Sequence, residues 1–170
     1  MMLINNNILP RPDYKNKLLK IGFNKDVVSY LLQVYEESKK QCCKLVGQLV
    51  GLSYRDQIYS IWNYFIENVV YQEDQGNDQC LKTPARLLAE GVGDCKSYSL
   101  FFASCLHCLN IPFVFRFVSF DNATDFQHVY IVACPYTSQQ IILDAVEKDK
   151  FGVPIFNYAR DFLFNKDIAG

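Results

Sequence analysis

The order of patterns along the chain predicts an α+β fold, with helices first and an antiparallel sheet after them. Three observations carry this expectation. Between Lys25 and about Lys40, the residues Val27, Val28, Leu31, Leu32, Val34 and Tyr35 recur at helical spacing. From Ser97 to Phe115 no charged side chain interrupts the chain, until Pro112 ends the helical part of that run. Beyond Pro112 the segments 113–120, 128–133 and 140–144 are β-branched and aromatic, with the turn-like DNATD and CPYTS between them.

Taken in order, residues 1–25 hold Pro10 and Pro12 among Asn and Lys and read as an N-terminal arm. Residues 26–170 then read as one domain, a length able to bury a continuous core. Asn24 is placed to cap the first helix, which Gly47 and Gly51 end or bend. Ser53, with Gln57 close behind, opens a second helix whose broad face carries Ile58, Ile61, Trp62, Phe65, Ile66 and Val69. Residues 71–84 are polar and read as a surface loop. Pro84–Glu90 is a short helical turn stopped by Gly91 and Gly93, and the third long helix is expected from Cys95 to about Leu109. The aromatic-rich tail from Phe151 to Gly170 reads as a short packed helix.

Composition narrows the function. The chain is 50% hydrophobic and 15% aromatic, as suits a filled interior, and its net charge is −1 with no run of like charges. Nothing electrostatic points to nucleic acid or an anionic membrane as partner. The charge-free run is near bilayer-spanning length. Three serines, His107, Asn110 and Pro112 within it favour a buried helix followed by a strand. The N-terminus lacks a basic segment leading into an apolar one, so the expected location is cytoplasmic and the seven cysteines are expected to stay reduced. In an unexported chain the Asn122-Ala-Thr sequence carries no glycan.

Chemistry concentrates in Gly91-Val-Gly-Asp-Cys95-Lys. The glycines allow a tight loop, and Asp94 is a good N-cap. Cys95 then takes the first helical position, where unpaired amides and the helix dipole favour a thiolate. The charge of Asp94 works against this, so a histidine partner is required. Of the two histidines, His107 lies three turns along the same helix, out of reach, whereas His128 opens the strand QHVYIVA. Asp144 closes the next strand, 16 residues on, where its carboxylate can orient the imidazole.

A cysteine at a helix start followed by His and Asp on consecutive strands resembles the transglutaminase-like superfamily across about residues 55–147. The similar segments are IYSIWNYFIENVVYQED, TPARLLAEGVGDC, LHCLNIPFVFRFVSFD, FQHVYIVA and ILDAV. In the family's helix-ending Gly-Ile-Pro, Asn110 replaces the glycine. The resemblance implies a papain-like fold, with the nucleophile helix packed on an antiparallel sheet. It also implies attack of Cys95 on a carboxamide of a protein or peptide, His128 moving the proton and no cofactor. The oxyanion would be held by the Cys95 amide and by Tyr71 or Gln72. Many members of the family are bacterial or phage proteins, and some keep the fold as binding or assembly modules without turnover.

Other clusters read as structure. Cys105-Leu-His-Cys108 lies inside a helix with no second ligand pair to complete a zinc site, so core packing is the expected role, and Cys42-Cys43 is no stronger. Lys96 reads as a solvated lysine in a first turn. Phe113, Phe115, Phe117 and Phe120 alternate at strand spacing and read as core and sheet face.

Overall fold

The computed structural model describes residue 4 and residues 17–20, 25–74, 78–120, 126–146 and 158–163. After a short strand at residues 17–20 come three helices: α1 (Lys25–Ser38), α2 (Cys43–Gly47) and α3 (Tyr54–Asn68). Ser53 caps α3, its hydroxyl accepting from the Asp56 amide. The short helix α4 (Pro84–Glu90) has each terminal signal in place. Thr83 caps it, Pro84 sits where no amide partner is needed, and Gly91 closes it at φ 67°.

Helix α5 (Cys95–Cys108) is the centre of the molecule, and every residue from Cys95 to Leu106 is buried. A helix apolar on all sides must be surrounded on all sides. One flank packs on a four-stranded antiparallel sheet of β5 (Phe113–Ser119), β6 (His128–Ala133), β7 (Ile141–Leu143) and β8 (Tyr158–Leu163), in the order β7-β6-β5-β8. Phe113, Phe115, Phe117, Val129 and Ile131 meet the helical core on one sheet face. Val114, Val118, Tyr130, Val132 and Ile142 form a second cluster on the other. Burial of both faces explains why these strands read as continuous apolar runs rather than as alternating ones. Arg116 and Asp161, paired in register, pin β8 to β5 through two hydrogen bonds of 2.7 and 2.8 Å.

Four readings from sequence change. Part of the expected N-terminal arm is strand β1 (Lys17–Lys20), which pairs antiparallel with β3 (Asp78–Leu81). The expected surface loop 71–84 therefore holds that strand and also begins in strand β2 (Val70–Tyr71), paired parallel with β4 (Val92–Gly93). The tail contributes β8 rather than a helix, because aromatic residues serve a strand equally well and the edge of β5 offers unpaired backbone groups. Asn24 and Asn122 lie outside the described residues.

The fourth change concerns sulfur. Cys43 and Cys108, 65 residues apart in sequence, form a disulfide with their Cα atoms 4.9 Å apart. Burial first, and then the neighbouring Cys42, push the Cys105 thiol pKa up. The C-x-x-C pair of α5 is thus split, each cysteine meeting one member of Cys42-Cys43, and the expectation of seven reduced thiols fails for two of them. Sequence spacing could not reveal a pairing created by helix packing. Alkylation of the denatured chain without reductant should label five cysteines, and seven after reduction. Replacing Cys43 and Cys108 by serine should lower unfolding stability by about 2–4 kcal/mol in urea titration.

Candidate active site

Cys95 is presented by a chain that can approach closely only through glycine. A Cβ on Gly93 would stand 2.4 Å from Leu87 Cδ1 and 3.3 Å from Ser97 Cβ. Without one, β4 passes between α4 and α5 and pairs with β2, the Gly93 carbonyl accepting from the Gln72 amide at 2.9 Å. Asp94 then caps α5, its Oδ1 accepting from the Ser97 amide at 3.0 Å. Cys95 follows as the first helical residue, 6% exposed. The hydroxyl of Ser99, one turn on, donates to the carbonyls of Cys95 and Val129, at 2.8 and 3.2 Å. That contact sets the start of the helix against the start of β6.

His128 is the first residue of β6 and is 9% exposed. Its Nε2 lies 2.7 Å from Asp144 Oδ2, and Cys95 is close enough to favour the charged form of the ring. With Nε2 engaged by the carboxylate, Nδ1 is the ring atom left for the thiol. Asp144 follows β7, and its second oxygen accepts from the Val146 amide at 3.3 Å. Burial disfavours the charged imidazole, but Asp144 and Cys95 outweigh it and raise His128 to about 10. The three residues singled out from sequence therefore meet in one place. His107 does not join them: it lies against Tyr35 with ring centroids 6.3 Å apart, and burial lowers its pKa.

Of the two expected oxyanion candidates, Tyr71 lies near enough to feel the charge of Cys95. It pairs with Gly93 in the β2–β4 ladder, its ring meets that of Tyr98 edge-on, and its hydroxyl donates to Glu73 Oε1 at 3.5 Å. Burial first, and then the charge of Cys95, push the phenol pKa up, so the hydroxyl stays a proton donor and is within electrostatic reach of the sulfur. Gln72 is exposed and borders a cleft of about 200 Å³ shared with Glu73, Asp74, Lys82 and Asp94. Among the described residues no group of three or more His, Cys, Asp or Glu is arranged to hold a metal ion.

Two neighbours of the site were misread from sequence. Lys96 is not solvated: it is 3% exposed and pairs with Asp94 and, at 3.5 Å, with Asp74. The signal was present, because a first-turn lysine opening a helix otherwise free of charge must be buried with it, and therefore paired. Phe120 is 46% exposed, and its ring stacks on the His128 imidazole at a centroid distance of 6.2 Å.

No family model matches the chain, and no curated protein does. Among solved structures it is similar to calcium-bound LapG of Legionella pneumophila. The TM-score is 0.49 at 16% identity, over 73% of this chain and 75% of that one. It is also similar to a Cytophaga hutchinsonii protein described as a candidate cysteine protease, with a TM-score of 0.48 at 19% identity. That match covers 94% of this chain but 59% of the other, so the chain spans well under two thirds of that protein. At this level of likeness, the identity of the reacting groups rests on this chain's own residues.

Two outcomes follow from the geometry. Gly93→Ala should cost about 1–3 kcal/mol of stability in denaturant unfolding, because Leu87 is fully buried and has little room to move. With its folded pKa raised above the unfolded value of about 6.5, His128 contributes stability that is complete below that pH and lost as pH climbs through the folded value. The contribution of His128 to the melting temperature should therefore fall as pH rises above about 6.5. Asp144→Asn should flatten that fall.

Proposed function

We propose that this protein is a transglutaminase-like cysteine enzyme that cleaves or transfers the acyl group of a peptide or side-chain amide. The observation that carries this reading is the His128 ring, 2.7 Å from Asp144 and with its charged form favoured by both Asp144 and Cys95, the first residue of a buried helix. A cysteine kept only for packing needs neither partner.

In this mechanism His128 takes the Cys95 proton, and the thiolate attacks the amide carbonyl carbon to form a tetrahedral oxyanion. The Cys95 amide is the proposed first donor to that oxyanion, and the Tyr71 hydroxyl, turned from Glu73 to the substrate, the second. Collapse breaks the C–N bond, and the imidazolium returns its proton to the departing amine or ammonia. Water, or a second amine, then attacks the thioester carbonyl with His128 as base, releasing the acyl group and restoring the thiol. Asp144 holds the ring orientation and stabilises the imidazolium throughout. Hydrolysis is the favoured outcome, because a domain of this size offers little surface for two protein substrates at once.

The alternative, a binding or assembly module that keeps the fold without turnover, has no observation in its favour here. Alkylation by iodoacetamide at neutral pH, mapped by mass spectrometry, separates the two. Cys95 should react faster than Cys42, Cys80, Cys105 and Cys134. His128→Ala should slow it by about 100-fold and Asp144→Asn by about tenfold, in the range of a positioned base and its orienter. Equal rates at all five thiols, with no effect of His128→Ala, would favour the non-catalytic module.

A further inference from the structure

Lys96 follows the nucleophile directly, and its ammonium is buried where an unpaired charge is costly. Its Nζ contacts Asp94 Oδ2, while the other oxygen of Asp94 is engaged by the Ser97 amide. The same Nζ lies 3.5 Å from Asp74 Oδ2, which also accepts from the Cys80 amide at 2.7 Å. One side chain thus joins the cap of the nucleophile helix to the segment after β2, and through Asp74 to Cys80 of β3.

The charge arrangement gives this a chemical meaning. Cys95 is faced by His128 from β6, with Asp144 behind it, by Tyr71 from β2, with Glu73 bonded to its hydroxyl, and by Asp94 and Lys96 on its own helix. A bare carboxylate one residue before the sulfur disfavours a second negative charge there. The α5 cap needs that carboxylate, or an equivalent oxygen, to hold the Ser97 amide. A cation on its remaining oxygen reconciles the two requirements.

We propose that Lys96 is a positioning residue for the thiol chemistry: its ammonium cancels the charge of the Asp94 cap so that Cys95 can ionise, and its contact with Asp74 holds residues 72–74 against the start of α5. The proposal rests on the reading of Cys95 as nucleophile. It adds a distinct role, since the contact of the imidazole with Asp144 does not involve Lys96. Burial lowers the readiness of this lysine to carry charge, but Asp94 and then Cys95 more than restore it, so it remains an ammonium.

The test is the pH dependence of Cys95 alkylation in the full chain. Lys96→Met, of similar shape but neutral, should move the rising limb up by about one pH unit, making the reaction about tenfold slower below the limb. Adding Asp94→Asn should return the limb to near its wild-type position, because the charge that Lys96 cancels is then gone while Asn still caps the helix. Should Lys96→Met fail to fold, Asp94→Asn alone decides the matter: with the ammonium retained, the limb should move to lower pH. A limb unmoved in both variants, or moved upward by Asp94→Asn, overturns the proposal and leaves Lys96 a structural ion pair. The two readings fail separately. Wild-type Cys95 that is fast and His128-dependent, with a limb indifferent to Lys96, overturns only this inference. Wild-type Cys95 no faster than the other thiols overturns the nucleophile assignment itself.

Discussion

The burial of α5 on every side is the constraint from which the rest of the molecule follows. Every residue from Cys95 to Leu106 is buried, so the helix must be enclosed by α1 to α4 on some flanks and by the sheet on another. Its polar ends cannot be left unmatched in such surroundings. At the start, Asp94 meets one amide and Lys96 meets the cap. At the end, Cys108 is covalently tied to α2. A helix held this firmly at both ends gives its first residue a fixed position against β6, and a nucleophile depends on fixed position more than on any other property.

The electrostatics of the site follow from the same burial. An imidazole 9% exposed would ordinarily stay neutral, and its charged form is favoured here by the Asp144 carboxylate on Nε2 and by the nearby Cys95. The Asp94 cap sets a carboxylate beside Cys95, and the Lys96 ammonium pairs with it. The imidazole of His128 is in turn held by Asp144. Each member of the site is therefore needed for the state of another, as expected of groups that act as a unit.

Much of this was legible in the amino-acid order because it is local. Asp94 before Cys95, Thr83-Pro84 at one end of α4 and Gly91 at the other, and Ser53 ahead of α3 are signals read within one helical turn. The strands 113–119, 128–133 and 141–143 were legible for the same reason, and with them the union of Cys95, His128 and Asp144. What escaped is non-local. Strand β1 exists only because residues 78–81 lie beside it, β8 only because β5 has an open edge, and the disulfide only because α2 packs on α5. The mistaken view of Lys96 belongs to a third kind: its burial was implied by the charge-free residues that follow, but a charged side chain in a first turn suggests solvent until the whole helix is considered.

The central claim is that Cys95 and His128 meet as a polarised pair held by Asp144. The protonation of the His128 ring, followed by NMR of both ring nitrogens across pH, tests it most directly. The account predicts that both nitrogens still carry protons at about pH 8, with the ring losing its charge only towards about 10, and that Asp144→Asn brings this down. An imidazole that titrates near its ordinary value of about 6.5, unaffected by Asp144→Asn, would contradict the account.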